Sequence, residues 1–351
     1  MILKMEENMV IYLFVVFSTF EYGTFSIVAV DPLTGECGVA VSSKVFDVGY
    51  IVPWIKTDVG AVASQALSNP YLGKWILEFL SKGYSAKEAL DSAIAMDSSR
   101  EERQVGVVDF KGNSCAFTGK ETFAWAGHRT APYVSVQGNI LTGPEVVDTM
   151  IKVFLNSKGP LAERLLLALQ SGELAGGDKR GKQSAAIIVL RRRGGYQGVD
   201  DRLVDLKVVD NPEPVKELVR QYEYWQYYFL APAYLRLAEE EKNEIFFERT
   251  LDILERALNS DIKDANVFNN LAWEFAIRKK FPDKTLLAAK KANELAPEDP
   301  NIMDTLAEAY YAMGDYKNAI YWEKMAIEKE PDNQFFRKQL EKFQKALKKK
   351  K

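Results

Sequence analysis

Gly23-Thr24-Phe-Ser-Ile-Val-Ala-Val-Asp31, Pro32-Leu-Thr-Gly35 and Glu36-Cys-Gly-Val-Ala-Val-Ser-Ser43 follow one another without a break. Two apolar runs separated by a Pro/Gly turn read as an antiparallel hairpin. If the turn pairs Asp31 with Glu36, Thr24 faces Ser43. A slip of one residue brings Ser42 or Lys44 alongside instead and turns every side chain to the opposite face. A cut between Gly23 and Thr24 would place a hydroxyl and a free α-amine on one residue, a nucleophile with its own base. An α-amine has a pKa of about 7.7–8.0, so a useful fraction is neutral near pH 7. Lys44 beside it would favour that neutral form by like-charge repulsion. The competing reading of Lys44 is a solvated lysine at a strand end.

Upstream lies the apolar segment Met9–Phe20. It has the length of a signal-peptide core and is short for a membrane-spanning helix. Lys4 is outweighed by Glu6 and Glu7, and Glu21-Tyr-Gly23 is not a small-residue cleavage site. Residues 1–23 are therefore read as a leader of three open kinds: an export signal, a self-removed propeptide, or the product of an unused upstream start codon. The first places the protein outside the cell, the others in the cytoplasm. Nothing else in the chain reads as a membrane span.

The 351 residues carry a net charge of −3, which gives no basic signal for nucleic acid or anionic membrane. The terminal run Lys345–Lys351 reads as a solvated helix end. Cys37 and Cys115 form neither a spaced metal motif nor a disulfide framework, and a single histidine, His128, excludes a two-His metal site. No metal or organic cofactor is expected.

Beyond the hairpin, residues 24–210 mix strands and helices. Strands are expected over Val59–Gln65, Arg103–Phe110, Ser114–Thr118, Tyr133–Leu141, Ser184–Leu190 and Leu203–Val209. Helices are expected from Pro70 to Lys82 and, after the capping box Ser85-Ala-Lys-Glu88, to about Met96. From Pro144, helical spacing continues to about Gln170. This order suits an α+β chain with two stacked sheets and helices segregated outside. Asn211-Pro-Glu-Pro214 reads as a boundary, and residues 211–351 read as an all-α domain. Within it Leu306-Ala307, Tyr310, Gly314-Asp-Tyr316, Ala319, Ala326 and Pro331 resemble the tetratricopeptide consensus. Leu271-Ala272, Ala292 and Pro297 echo it, and Tyr234–Ala257 reads as a degenerate earlier unit. Such an array suits a protein or peptide partner. It suits equally a stabilising appendage or a dimerisation element that makes the protein a homo-oligomer.

Two polar stretches stand out near apolar strands. In Ser135-Val-Gln-Gly-Asn139, Asn139 could donate its amide to a developing oxyanion or satisfy a backbone bulge at Gly138. His128 and Arg129 could bind a substrate carboxylate or phosphate. In Gly176-Gly-Asp-Lys-Arg180-Gly-Lys-Gln-Ser184, Asp178 and Arg180 read as a loop organiser or a substrate clamp.

Seven motifs fall in order between Thr24 and Asp210. They are Thr24-Phe-Ser-Ile-Val-Ala-x-Asp31, Gly38-Val-Ala-Val-Ser-Ser-Lys44, Val52-Pro-Trp54, Gly60-Ala-Val-Ala-Ser-Gln65, Ala126-Gly-His-Arg-Thr130, Ser135-Val-Gln-Gly-Asn139 and Gly176-Gly-Asp-x-Arg-Gly-x-Gln-Ser-Ala185. The chain thereby resembles the domain-of-unknown-function 1028 family. The resemblance implies the N-terminal-nucleophile (Ntn) hydrolase fold, a four-layer αββα sandwich shared with proteasome β-subunits and several amidases. It makes Thr24 the residue that would become the first. The family has no settled substrate; the residues on that fold are read as an amidohydrolase in which Thr24 attacks a small amide or peptide-like substrate and Asn139 or backbone N–H groups hold the oxyanion. Ser43, Lys44, His128, Arg129, Asp178, Arg180 and Ser184 would then assist or line the pocket. The alternative is a non-catalytic binding module of the same fold joined to an interaction scaffold.

Overall fold

The computed structural model describes residues 23–350, and the readings of residues 1–22 lie outside them. Thr24–Asp31 (β1) and Glu36–Ser43 (β2) form the antiparallel hairpin, with Asp31 opposite Glu36 and Thr24 opposite Ser43. Two features pin that register. The Asp31 carboxylate accepts from the Leu33 N–H at 2.9 Å, and Gly35 closes the turn at φ +72. Both strand faces are also apolar and buried against different neighbours, so no one-residue slip leaves either core intact.

β1 also pairs with Val134–Asn139 (β8), which sets Thr24 opposite Asn139. Adding Gly127–Ala131 (β7), Ser184–Leu190 (β9) and Arg202–Val208 (β10) gives a six-stranded sheet in the order β10-β9-β2-β1-β8-β7. Pro53–Lys56 (β3), Gly60–Ala66 (β4), Arg103–Asp109 (β5) and Ser114–Thr118 (β6) form a second sheet in sequence order. Val48–Ile51 (α1) is a single turn leading into β3.

Three apolar layers follow. Val28, Val39, Val41, Ala61 and Val108 fill the space between the sheets. Val62, Val105 and Val107 on the outer face of the second sheet pack on Pro70–Ser81 (α2) and Ala86–Ala95 (α3). The capping box predicted for α3 is present, with Ser85 and Glu88 bonded reciprocally. Phe25, Ile27, Val136 and Ile187 on the outer face of the first sheet pack on Glu145–Asn156 (α4) and Leu161–Leu174 (α5). The N-terminal region is thus an αββα sandwich and the chain as a whole is α+β.

Two strands were not expected. β3 is four half-buried or exposed residues behind Pro53, and β7 is the polar edge strand Gly-His-Arg-Thr-Ala. Neither carries the apolar alternation that marks a half-buried strand. The helical run from Pro144 is two helices, because Gly159 at φ +102 and Pro160 interrupt the ladder between them.

Pro214–Trp225 (α6) packs on β9 and β10 and continues through a π turn into Ala231–Glu241 (α7). Glu244–Asn259 (α8), Ala265–Ala276 (α9), Pro282–Leu295 (α10), Pro300–Ala312 (α11), Tyr316–Lys329 (α12) and Gln334–Lys350 (α13) follow. Pairs α7/α8, α9/α10 and α11/α12 are successive units, with α13 against the last. Ala257, Ala292 and Ala326, placed at the repeat spacing, are all fully buried where their helices approach.

The apolar cluster beneath the six-stranded sheet runs without a break into α6–α11. A buried ion cluster adds to that join. Arg249 of α8 reaches Asp31 at 2.7 Å and Glu36 at 3.1 Å, and the Tyr234 hydroxyl donates to Glu36 at 2.9 Å. Burial raises the Glu36 pKa even though the Arg249 guanidinium opposes that shift.

Candidate active site around Thr24

Thr24 begins β1 at the mouth of the inter-sheet layer and is 3% exposed. Its Oγ1 donates to the Ser43 Oγ at 3.2 Å. The Ser43 hydroxyl in turn donates to the Gly23 carbonyl oxygen through a short hydrogen bond. That same carbonyl accepts from the Arg180 Nη2 at 2.8 Å. The carbonyl of the Gly23–Thr24 bond therefore has a hydroxyl and a guanidinium aimed at it, and the hydroxyl is shared with Thr24.

Asp178 holds this arrangement. Its carboxylate takes Arg180 in a fork at 3.1 and 2.7 Å and accepts the Lys44 backbone N–H at 3.0 Å. The fork fixes the plane of the guanidinium. A Cβ at Gly23 would stand 2.9 Å from both Asp178 oxygens and from the Ile140 Cβ, so glycine is required there by space. Thr24, Ser43, Asp178 and Arg180 are thus brought together by β1, β2 and the glycine-rich loop before β9.

The other candidates are placed around this group. Lys44 lies one residue past Ser43, so its side chain turns the other way. It is exposed, and its ammonium donates to the Lys182 carbonyl at 3.2 Å. Ser184 lies opposite Ser43 across β2 and β9; its hydroxyl donates to the Val45 carbonyl at 2.7 Å and accepts the Val48 N–H at 3.0 Å. Arg129 pairs with Asp148 of α4 at 2.7 Å, while its neighbour His128 turns to Thr118 of the second sheet. The two side chains leave β7 on opposite faces and do not form one anion site.

Asn139 faces the inter-sheet layer, where its amide donates to the Gln104 Oε1 at 3.0 Å. Its Oδ1 is buried without a partner. β8 passes through Gly138 in unbroken register, so no bulge is present there.

Asn139 belongs to a buried chain of amides that sequence reasoning left unassigned. Gln65 of β4 donates to the Thr24 carbonyl at 3.2 Å and to the Gln104 Oε1 at 2.8 Å. Its Oε1 accepts the Ser26 hydroxyl at 2.5 Å, and Ser26 accepts Gln137 at 2.6 Å. Gly106 leaves the space for Gln137, whose Oε1 would lie 1.9 Å from a Cβ at that position. Gln104 donates to Thr118 at 3.0 Å, which leaves the Thr118 hydrogen for the His128 Nδ1 at 2.9 Å. The neutral ring then carries its proton on Nε2. Burial, and next the Arg129 guanidinium, hold His128 below its ordinary pKa of 6.5. The available signal was a glutamine inside each of two strand-like runs, Gly60–Ala66 and Arg103–Asp109.

Burial pushes the Cys37 and Cys115 thiols up to about 12, away from reactive thiolates. Among the described residues no cluster of His, Cys, Asp and Glu is arranged to hold a metal, and no helix is long and apolar enough to cross a membrane.

A search of curated proteins finds no match to the chain. Among solved structures it is similar to the crystal structure of a protein from Silicibacter pomeroyi assigned to DUF1028. That match has 32% identity and a TM-score of 0.55, over 60% of this chain and 89% of that one. The helical region is similar to a thermophilic TPR protein of Thermus thermophilus, with 25% identity and a TM-score of 0.31 over 38% of this chain and 68% of that one. It is also similar to the Sgt2 TPR domain from Aspergillus fumigatus, with 19% identity and a TM-score of 0.27 over 34% of this chain and 77% of that one. The sequence model of the "Family of unknown function (DUF1028)" matches residues 24–218, beginning at Thr24 itself. The chain belongs to that family.

Proposed function

We propose that the protein is an N-terminal-nucleophile amidohydrolase that first cuts its own Gly23–Thr24 bond. The observation that carries this is the double engagement of the Gly23 carbonyl by Ser43 and Arg180, with Thr24 bonded to the same Ser43 hydroxyl. Attack of the Thr24 Oγ1 on the Gly23 carbon passes the hydroxyl proton to Ser43, while Ser43 gives its own to the carbonyl oxygen. Arg180 polarises the carbonyl and stabilises the partial charge on its oxygen until that proton arrives. Collapse of the adduct moves a proton to the Thr24 nitrogen, breaks the C–N bond and leaves an ester. Breaking the C–N bond frees the α-amine, and water then hydrolyses the ester to release the Gly23 carboxylate and restore the Thr24 hydroxyl.

In the cut chain that amine is the base for the Thr24 hydroxyl. Asp178 and Arg180, once on the Gly23 side of the bond, then border the amine, and the Gln65–Gln104–Asn139 amides hold the Thr24 backbone. Lys44 and Arg129 take no part in the chemistry. His128 orders the far end of the amide chain, and Ser184 shapes the wall beside Thr24. The domains are 24–210 and 211–351, and the helical array docks a protein or peptide partner.

The test is hydrolysis of a panel of fluorogenic amides by the full chain. Thr24→Ser keeps measurable turnover and Thr24→Ala abolishes it. Equal turnover by Thr24→Ala assigns the activity elsewhere and overturns the proposal.

A further inference from the structure

A cavity of about 200 Å³ opens directly onto Thr24. Val48, Ile51 and Val52 from α1 and its C-terminal end form one side, and Gln65 and Leu67 at the end of β4 form the other. Val48 and Val52 are buried, whereas Leu67 is 45% exposed and stands at the mouth. Among the described residues no charged side chain lines the cavity.

We infer that the acyl group transferred to Thr24 is short, uncharged and aliphatic. This rests on the reading of Thr24 as the nucleophile. Three observations support it. The volume lies below the 300–1,000 Å³ usual for pockets that take drug-sized ligands. The polar groups on its wall have internal partners: Gln65 is bonded to Thr24, Gln104 and Ser26, and the Ser68 hydroxyl donates to the Ser64 carbonyl at 2.9 Å. A carboxylate or amide on the acyl chain would therefore lose water with little to replace it. The wall is also fixed in place, since Ser184 holds the Val48 N–H and Asp47 caps α1 through the Tyr50 N–H.

The step balances without a further reactant beyond water. Thr24 Oγ1 bonds to the substrate carbonyl carbon and its proton goes to the α-amine. The C–N bond breaks, and the leaving amine takes that proton. Water then opens the ester, releasing a short carboxylic acid and restoring the hydroxyl.

The experiment compares the full chain, shown by mass to begin at Thr24, on coumarinyl amides carrying butyryl, decanoyl and succinyl groups. An aliphatic β-lactone, whose ring Thr24 opens to form an ester adduct, reports nucleophile reactivity independently of turnover. Butyryl is preferred over decanoyl and over succinyl by at least tenfold in kcat/KM, within the discrimination that methylene-scale misfits give. Leu67→Trp, at an exposed position that spares the fold, narrows the mouth and widens the butyryl preference. Succinyl or decanoyl turning over as well as butyryl, with the lactone still on Thr24, overturns the acyl assignment alone. No turnover and no adduct on a chain that begins at Thr24 removes the nucleophile, and the inference with it.

Discussion

Replacing Ser43 by alanine separates the chemistry at the Gly23 carbonyl from the stability of the hairpin. The Ser43 hydroxyl accepts from Thr24 and donates to Gly23. Loss of one donor to a developing oxyanion slows acyl transfer by about 10²–10³. The effect on folding is small by comparison. The two buried hydrogen bonds lost contribute about 1 kcal/mol each. Unfolding a chain of 351 residues carries an entropy of roughly 0.7 kcal/mol/K, so Tm falls by only about 3 °C. Cell-free translation of the full chain, sampled over time by intact mass, gives the ratio of uncut to cut protein. Ser43→Ala is cut at least about 100-fold more slowly, and Ser43→Thr, which keeps the hydroxyl, stays within about tenfold. Wild-type cleavage by Ser43→Ala, with Tm lowered by the expected few degrees, would refute the relay.

Gly23→Ala drives a methyl group into Asp178 and Ile140; displacement of the Gly23 carbonyl by about 1 Å slows the cut about 10²-fold in the same mass assay. Arg249→Met leaves Asp31 and Glu36 buried without their cation. The expected loss is about 3–5 kcal/mol, or about 4–7 °C in Tm by calorimetry, and adding Glu36→Gln recovers part of it. In the last repeat, burial and then the facing Asp304 carboxylate push Glu323 up to about 9. The folded state then holds a proton that the unfolded chain releases near pH 4.5, so stability is greatest below that pH and falls as pH rises towards 9. Across pH 5 to 8 Tm therefore declines, and Glu323→Gln flattens that decline.

The hairpin was legible from its turn chemistry and two apolar runs, but a slip of one residue stayed open until the burial of both faces fixed Thr24 opposite Ser43. The repeat was legible because buried alanines recur where helices must approach. β7 was not legible, since a polar edge strand with one exposed side has no apolar alternation to display. The split between α4 and α5 was missed because the apolar spacing continues on both sides of Gly159-Pro160. At the site, Asp178 and Arg180 were singled out from an unusual glycine-rich loop, but the Arg180 contact with the Gly23 carbonyl joins residues 157 apart in sequence. Lys44 was drawn towards Thr24 by proximity in sequence, whereas strand alternation turns it away. The glutamines were overlooked because each looks like an isolated polar residue; only two sheets face to face make them a chain. The ion cluster of Asp31, Glu36 and Arg249 was hidden for the same reason, its members lying in a hairpin turn and a repeat helix.

The most direct measurement of the central claim is N-terminal sequencing with intact mass of the protein from its native source, alongside Thr24→Ala expressed in the same host. The account predicts a mature chain that begins at Thr24 and a Thr24→Ala chain in which the peptide bond after Gly23 stays intact. A stable wild-type chain that begins at Met1 or Met9, or a Thr24→Ala chain cut at the same bond, would contradict it.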